Sequence, residues 1–154
     1  MKRGRGSIKQ AKVAVMAESV ILENIYTGKK YTHFRNLKMQ ITEGHQVEKT
    51  DQLIQSHIDS TAIILSDKSS SYVNIHKFVE QHITKKSNKK TTAEFLKWVH
   101  IGISNSKRKF LGIHHKINRE YLQNYLDEFC YKLNNRKSNN LFEQVVNTVS
   151  FQNW

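Results

Sequence analysis

Three residues of this 154-residue chain have types and spacing that suit chemistry: Asp67, His100 and Lys107. Two of them lie in "KWVHIGISNSKRKFLG", residues 97–112, which has no Pro and carries Trp98, Val99, Ile103 and Phe110 at near-helical spacing. That pattern predicts an amphipathic helix. His100 and Lys107 are seven positions apart, hence about 20° apart around the axis, on one stripe with Leu96, Ile103, Ser104 and Leu111. A purely core-facing stripe needs neither an imidazole nor an ammonium. The plain alternative is a histidine at the edge of a core and a lysine whose stem covers apolar surface while its head stays in water. Asp67 follows the short apolar run at 62–65. A carboxylate just past the carboxyl end of a buried strand is where α/β sheets place ligand sites. The same "SDKSSSY" could equally begin a helix, with Asp67 as its N-cap. Together, a carboxylate and an imidazole can hold a divalent metal, and a nearby lysine can hold a phosphate as a point charge. In a basic chain this set points to metal-assisted phosphodiester chemistry.

The chain is basic: 25 Lys and Arg oppose 13 Asp and Glu, for a net charge of +12. Such a domain is drawn to polyanions, nucleic acid first, although charge alone would also suit a ribosomal or membrane-surface protein. The positive residues fall in blocks at 2–12, 85–90, 107–109 and 132–137. With one cysteine, Cys130, a disulfide framework and a cysteine-built zinc site are both excluded. No apolar run approaches the ~20 residues of a membrane span. The basic start "MKRGRGSIKQAK" has no apolar region behind it and does not read as a secretory signal. A reduced, cytoplasmic setting is expected.

These residues need a frame to position them. Pro is absent and Gly numbers six, which argues for one domain over 1–154 with a basic loop at 1–11. Val13 and Val15 alternate with small or polar residues in strand fashion, and "TGKK" at 27–30 signals a turn. Strands are expected at 12–21, 36–42 and 62–66, and helices at 48–58, 97–112, 118–135 and 140–150. The helix at 118–135 shows Leu122, Tyr125, Leu126, Phe129 and Leu133 on one face. That at 140–150 opens with Asn140 and Glu143 in capping-box positions and offers Leu141, Val145, Val146 and Val149 for burial. Strands first, then mostly helices, predict an α/β or α+β fold with a single sheet, Asp67 and His100 facing each other across its edge.

The segment "LKWVHIGISNSKRKFLGIHHKINREYLQNYLDEFCYKLNNR" closely resembles the carboxyl-terminal half of bacterial insertion-sequence transposases of the ISXO-like group. "KRGRGSIKQAKVAVMAES" and "SDKSSSYVNIHKFVEQHI" resemble that family's earlier segments, in the same order. The resemblance implies an RNase H-like fold, a mixed sheet with helices, and a DDE-type site. It also implies a divalent metal, Mg²⁺ or Mn²⁺, with double-stranded DNA as partner and a homo-oligomer within a transposition complex. The family's second Asp falls on Asp67. Its Lys-Arg, Gly and His elements match Lys107-Arg108, Gly112 and His115. The third acidic position then falls on His100, seven residues before Lys107. Asn105 is the rival, about 140° from His100 on an ideal helix. Lys107, Arg108, Lys109 and His115 are the expected DNA contacts. The family's first Asp lies on a strand immediately before the basic Arg-Gly loop in which this chain begins. The first, central strand is thus expected to be missing, and the chain reads as an amino-terminally truncated transposase. Glu18 is the substitute carboxylate to consider. The competing reading is a non-catalytic basic module that grips DNA. His114 beside His115 is as readily a surface pair as a DNA contact, and Trp98 and Tyr121, Tyr125 and Tyr131 suit a core.

Overall fold

In the computed structural model the described residues are 11–42, 47–86, 88, 94–114 and 117–150. Strands β1 (Lys12–Glu23) and β2 (Lys30–Thr42) form an antiparallel hairpin, paired from Lys12↔Thr42 to Glu23↔Lys30. Its turn is held by Asn24, whose side-chain oxygen accepts from the Tyr26 and Thr27 amides at 2.9 and 3.0 Å. Gly28 supplies the left-handed backbone there, with φ of 63°.

Alternation puts Val13, Val15 and Ala17 on the same face as Ile41, Met39 and Leu37. The register then shifts: Ala17 opposes Leu37, yet Ser19 opposes Phe34, so Glu18 faces both Arg35 and Asn36. This bulge has a packing consequence. Phe34 is three residues from Leu37 and would point away from the core in a regular strand; the extra residue returns it to the core face. The Glu18 carboxylate spans the bulge, 3.3 Å from Arg35 Nη1 and accepting from Asn36 Nδ2 at 2.6 Å.

Helices α2 (Lys97–Ile113) and α3 (Leu122–Asn134) pack on this hairpin around Phe34, Leu37, Met39, Leu126, Phe129 and Cys130. Gly102 allows α2 to approach closely: a Cβ there would lie 2.8 Å from Leu37 Cδ1. On α3, Leu122, Leu126, Phe129 and Leu133 follow the helical period and face inward.

A second group consists of α1 (Val47–His57), β3 (Ile63–Asp67) and β4 (Gln81–Lys85), with short 3₁₀ turns at Ser70–Tyr72 and Ile75–Lys77. Strands β3 and β4 are parallel, and the 3₁₀ turns carry the crossover that parallel strands require. Ile54, Ile75 and Val79 are its buried centre. Every closely packed pair of elements lies inside one group or the other.

The mixed α/β class expected from sequence is present. The single sheet is not: the described residues form two two-stranded sheets, β1–β2 and β3–β4, because no described strand pairs with both β1 and β3. Strand β4 was not expected either. "QHITK" carries one aliphatic residue and offers no apolar run to read. Helix α4 (Leu141–Ser150) forms as expected, but Val145 and Val146 are each 42% exposed, so the described residues do not bury its apolar side. No described helix is long and apolar enough to cross a membrane.

Candidate active site

Asp67 is the last residue of β3, at the carboxyl end of a strand as expected. It does not cap the turn that follows. That role belongs to Ser69, whose Oγ accepts from the Ser71 amide at 3.4 Å. Asp67 Oδ1 is buried and has no hydrogen-bond partner. Burial, and then the charge of Asp67, hold the Tyr72 phenol above its ordinary pKa, which places the phenol within electrostatic reach of the carboxylate. Next to it, Ser66 Oγ donates to the Asp67 carbonyl at 2.9 Å and lies 2.8 Å from His82 Nε2. With the serine proton so committed, His82 Nε2–H is the donor of the second bond. Burial, followed by the nearby His76, lowers the His82 pKa, so the imidazole stays neutral. Sequence reasoning missed Tyr72 and His82. The available signal was the alternation of His82 with Ile83 in a short strand.

His100 and Lys107 lie on α2, on its exposed side with Ser104 and Leu111. The side of α2 turned to the hairpin carries Trp98, Gly102, Ser106 and Phe110 instead. The stripe singled out by sequence is thus the solvent face. Asn105 is turned the other way, lining a cavity of about 260 Å³ beside Trp98, Gly102 and Arg136, and it accepts from Arg108 Nη2 at 2.7 Å. Lys109 Nζ is 3.3 Å from Glu128 Oε1, a carboxylate it shares with Lys132. Hydrogen bonds from Lys132 and Lys109 lower the Glu128 pKa. His114 packs edge-on against Tyr125 at 4.6 Å. His115 lies outside the described residues, as do residues 1–10 of the basic loop.

Among the described residues, no hydrogen bond, ion pair or ring contact joins Asp67 to His100, and no three His, Cys, Asp or Glu side chains gather as metal ligands do. Glu18 is engaged by Arg35 and Asn36. The orphaned Asp67 oxygen is an acceptor suited to a cation, but one carboxylate beside a neutral imidazole supplies one negative charge. A hard divalent ion such as Mg²⁺ takes six oxygens in an octahedron. The described residues alone do not fit it.

Against this frame, the ISXO2-like transposase domain family matches residues 1–134. The chain belongs to that family. No curated protein and no solved structure matches the chain. The match takes in both packed groups of the transposase domain and ends with α3, leaving α4 beyond it. Asp67, His100 and the Lys107–Lys109 block are all inside it.

Proposed function

We propose that this chain is a transposase domain that serves DNA strand cleavage and transfer at the ends of an insertion sequence. In this reading Asp67 is a ligand of a divalent-metal site, His100 takes the third position and Lys107 holds a phosphate. The observation that carries it, beside family membership, is the buried, unpartnered Asp67 oxygen at the end of β3. An antiparallel pair and a parallel pair with unshared outer edges also agree with an RNase H-like sheet whose central strand would lie between β1 and β3. A bound divalent ion would supply Lewis-acid activation of the phosphodiester and of the attacking oxygen. Asp67 and the His100 imidazole supply one carboxylate between them, too weak a ligand set for that, so the isolated chain is expected to bind DNA without cutting it. The incomplete donor set favours the second reading to that extent: alone, the chain acts as a basic DNA-binding module.

The test joins binding to cleavage. Affinity for duplex DNA should fall steeply with salt and differ little between sequences, since phosphate neutralisation releases counterions. Lys107→Ala with Arg108→Ala should lower the salt slope by about 2 for every duplex. Incubation with Mg²⁺ or Mn²⁺ should leave a transposon-end duplex intact. Binding that survives high salt would sink the electrostatic account. Metal-dependent nicking lost in Asp67→Ala would show that the site is complete within this chain.

A further inference from the structure

The cavity beside α2 has no part in the reading above. It holds about 260 Å³ and is lined from β2 by His33 and Phe34, from α2 by Trp98, Ile101 and Asn105, and by Arg136 just beyond α3. None of its lining belongs to β1, and none is acidic. Its walls are fixed without a ligand. The Trp98 indole donates to Thr32 Oγ1 at 3.0 Å and meets the Phe34 ring at 5.6 Å. The Arg136 guanidinium, 4.9 Å from the centre of that ring, donates to the Phe34 and Leu133 carbonyls at 3.1 and 2.9 Å. An indole and a planar guanidinium held in this way are surfaces on which flat rings stack. Asn105 adds a polar edge. Its Oδ1 accepts from Arg108 Nη2 at 2.7 Å, and its Nδ2 has no partner among the described residues. A free amide donor beside a second oxygen lone pair matches a ring that carries an acceptor next to a donor, as adenine does. Cations surround the opening: Arg136 itself, Arg108 on Asn105, and Lys97, whose Nζ is 5.0 Å from the Trp98 ring.

We propose that this cavity receives one unpaired nucleobase of a DNA strand, with the phosphates beside that base resting on Lys97 and Arg108. The assignment rests on the DNA reading above and goes beyond it, because it names a form of DNA that the chain prefers. Size limits what enters. The cavity is smaller than the roughly 300–1,000 Å³ of sites that bury a drug-sized ligand, so a base goes in while its sugar and phosphate stay at the cationic rim. An apolar side chain of a partner protein would use the rings but leave Asn105 Nδ2 and the surrounding cations unmatched. A base inside a duplex cannot reach these walls, since both its faces are stacked and its edge is paired. Extracting it costs unstacking and unpairing energy, least where the base already lacks a partner.

Equilibrium binding of the whole chain to two duplexes of equal length and equal phosphate number tests it. In one, a central adenine faces thymine; in the other, the same adenine faces an abasic sugar. The second should bind about tenfold tighter, within what one stacked base contributes. The chain has two Trp, so Trp154→Phe leaves the Trp98 emission alone, and the unpaired adenine should quench it far more than the paired one. Ile101→Phe fills the cavity from a side chain that is 38% exposed. It should erase the tenfold preference while leaving affinity for the paired duplex, and its salt slope, unchanged. Trp98→Leu removes a wall and should do the same; if it fails to fold by circular dichroism, Ile101→Phe still decides. Deoxyadenosine monophosphate should compete only at millimolar concentration, and micromolar competition would make this a free-nucleotide site and overturn the assignment to DNA. A preference that is absent, or that survives Ile101→Phe, sinks the cavity proposal while salt-dependent duplex binding still stands. Failure to bind the paired duplex at all sinks the DNA reading, and this proposal with it.

Discussion

The β1–β2–α2–α3 group and the β3–β4–α1 group are closed in different ways. In the first, two helices lie on a long hairpin, aliphatic and aromatic side chains share one core, and side-chain amides seal one edge. Trp98 and Phe34 add a ring contact at 5.6 Å. In the second, three residues form the buried centre, and Ile63 and Leu65 of β3 remain 59% and 42% exposed. The candidate catalytic carboxylate belongs to the second, smaller group, and His100 to the first. The region that would hold a ligand has fewer apolar contacts to restrain it, as expected of segments that open at low free energy.

Substitutions in the two cores should separate these regions. Leu37 and Ile75 are 2% and 1% exposed, yet Leu37→Ala should cost about 4 kcal/mol and Ile75→Ala about 2, because the looser surroundings of Ile75 can collapse into the space. Chemical denaturation measures both. Native-state hydrogen exchange should show Ile75→Ala loosening β3 and β4 while β1 and β2 stay protected. Equal costs, or a uniform loss of protection, would break the distinction between the groups.

Asn134→Ala comes next in size. It strands the Leu37 amide and carbonyl together, for a loss of about 2 kcal/mol, read from the same denaturation curves. A cost near zero would mean that water replaces the amide and that the β2 edge is not sealed by α3.

The smallest effect expected is one of pH. The His82 pKa is lower in the folded chain than the ordinary imidazole value of 6.5, through burial and then His76. The unfolded chain therefore binds more protons as pH falls below 6.5. Stability contributed by neutral His82 is present above that pH and lost on descent through the lower folded value. Exchange of the β3 and β4 amides should quicken as pH falls below 6.5, relative to β1 and β2, and His82→Gln should remove that dependence. A decline shared by both groups would point to other titrating residues.

Period-two alternation made β1 and β2 legible, and helical spacing made α1 to α4 so. The bulge was not legible, because it exists only once Ala17 has found Leu37 and Ser19 has found Phe34. On α2 the sequence draws attention to the stripe where His100 and Lys107 interrupt Leu96, Ile103 and Leu111. Closest approach is instead marked by Gly102, which lets Leu37 come within contact. Leu111 is 83% exposed. Asp67 was placed at its strand end from an apolar run. Its missing partner is a property of packing that no spacing encodes. Gln123 and Asn134, eleven positions apart and so about 20° around an ideal helix, carried a readable signal: two amides stacked on one side of a helix, spaced to meet one strand.

The seal that α3 places on β2 also has a place in time. Asn134 lies 97 residues after Leu37. A ribosome adding 5–20 residues per second needs roughly 5–20 s to synthesise that interval, whereas a hairpin forms in about 1–10 μs. During every round of synthesis, then, the β1–β2 hairpin spends seconds with its β2 edge open, and whatever guards that edge in the interval must come from outside α3.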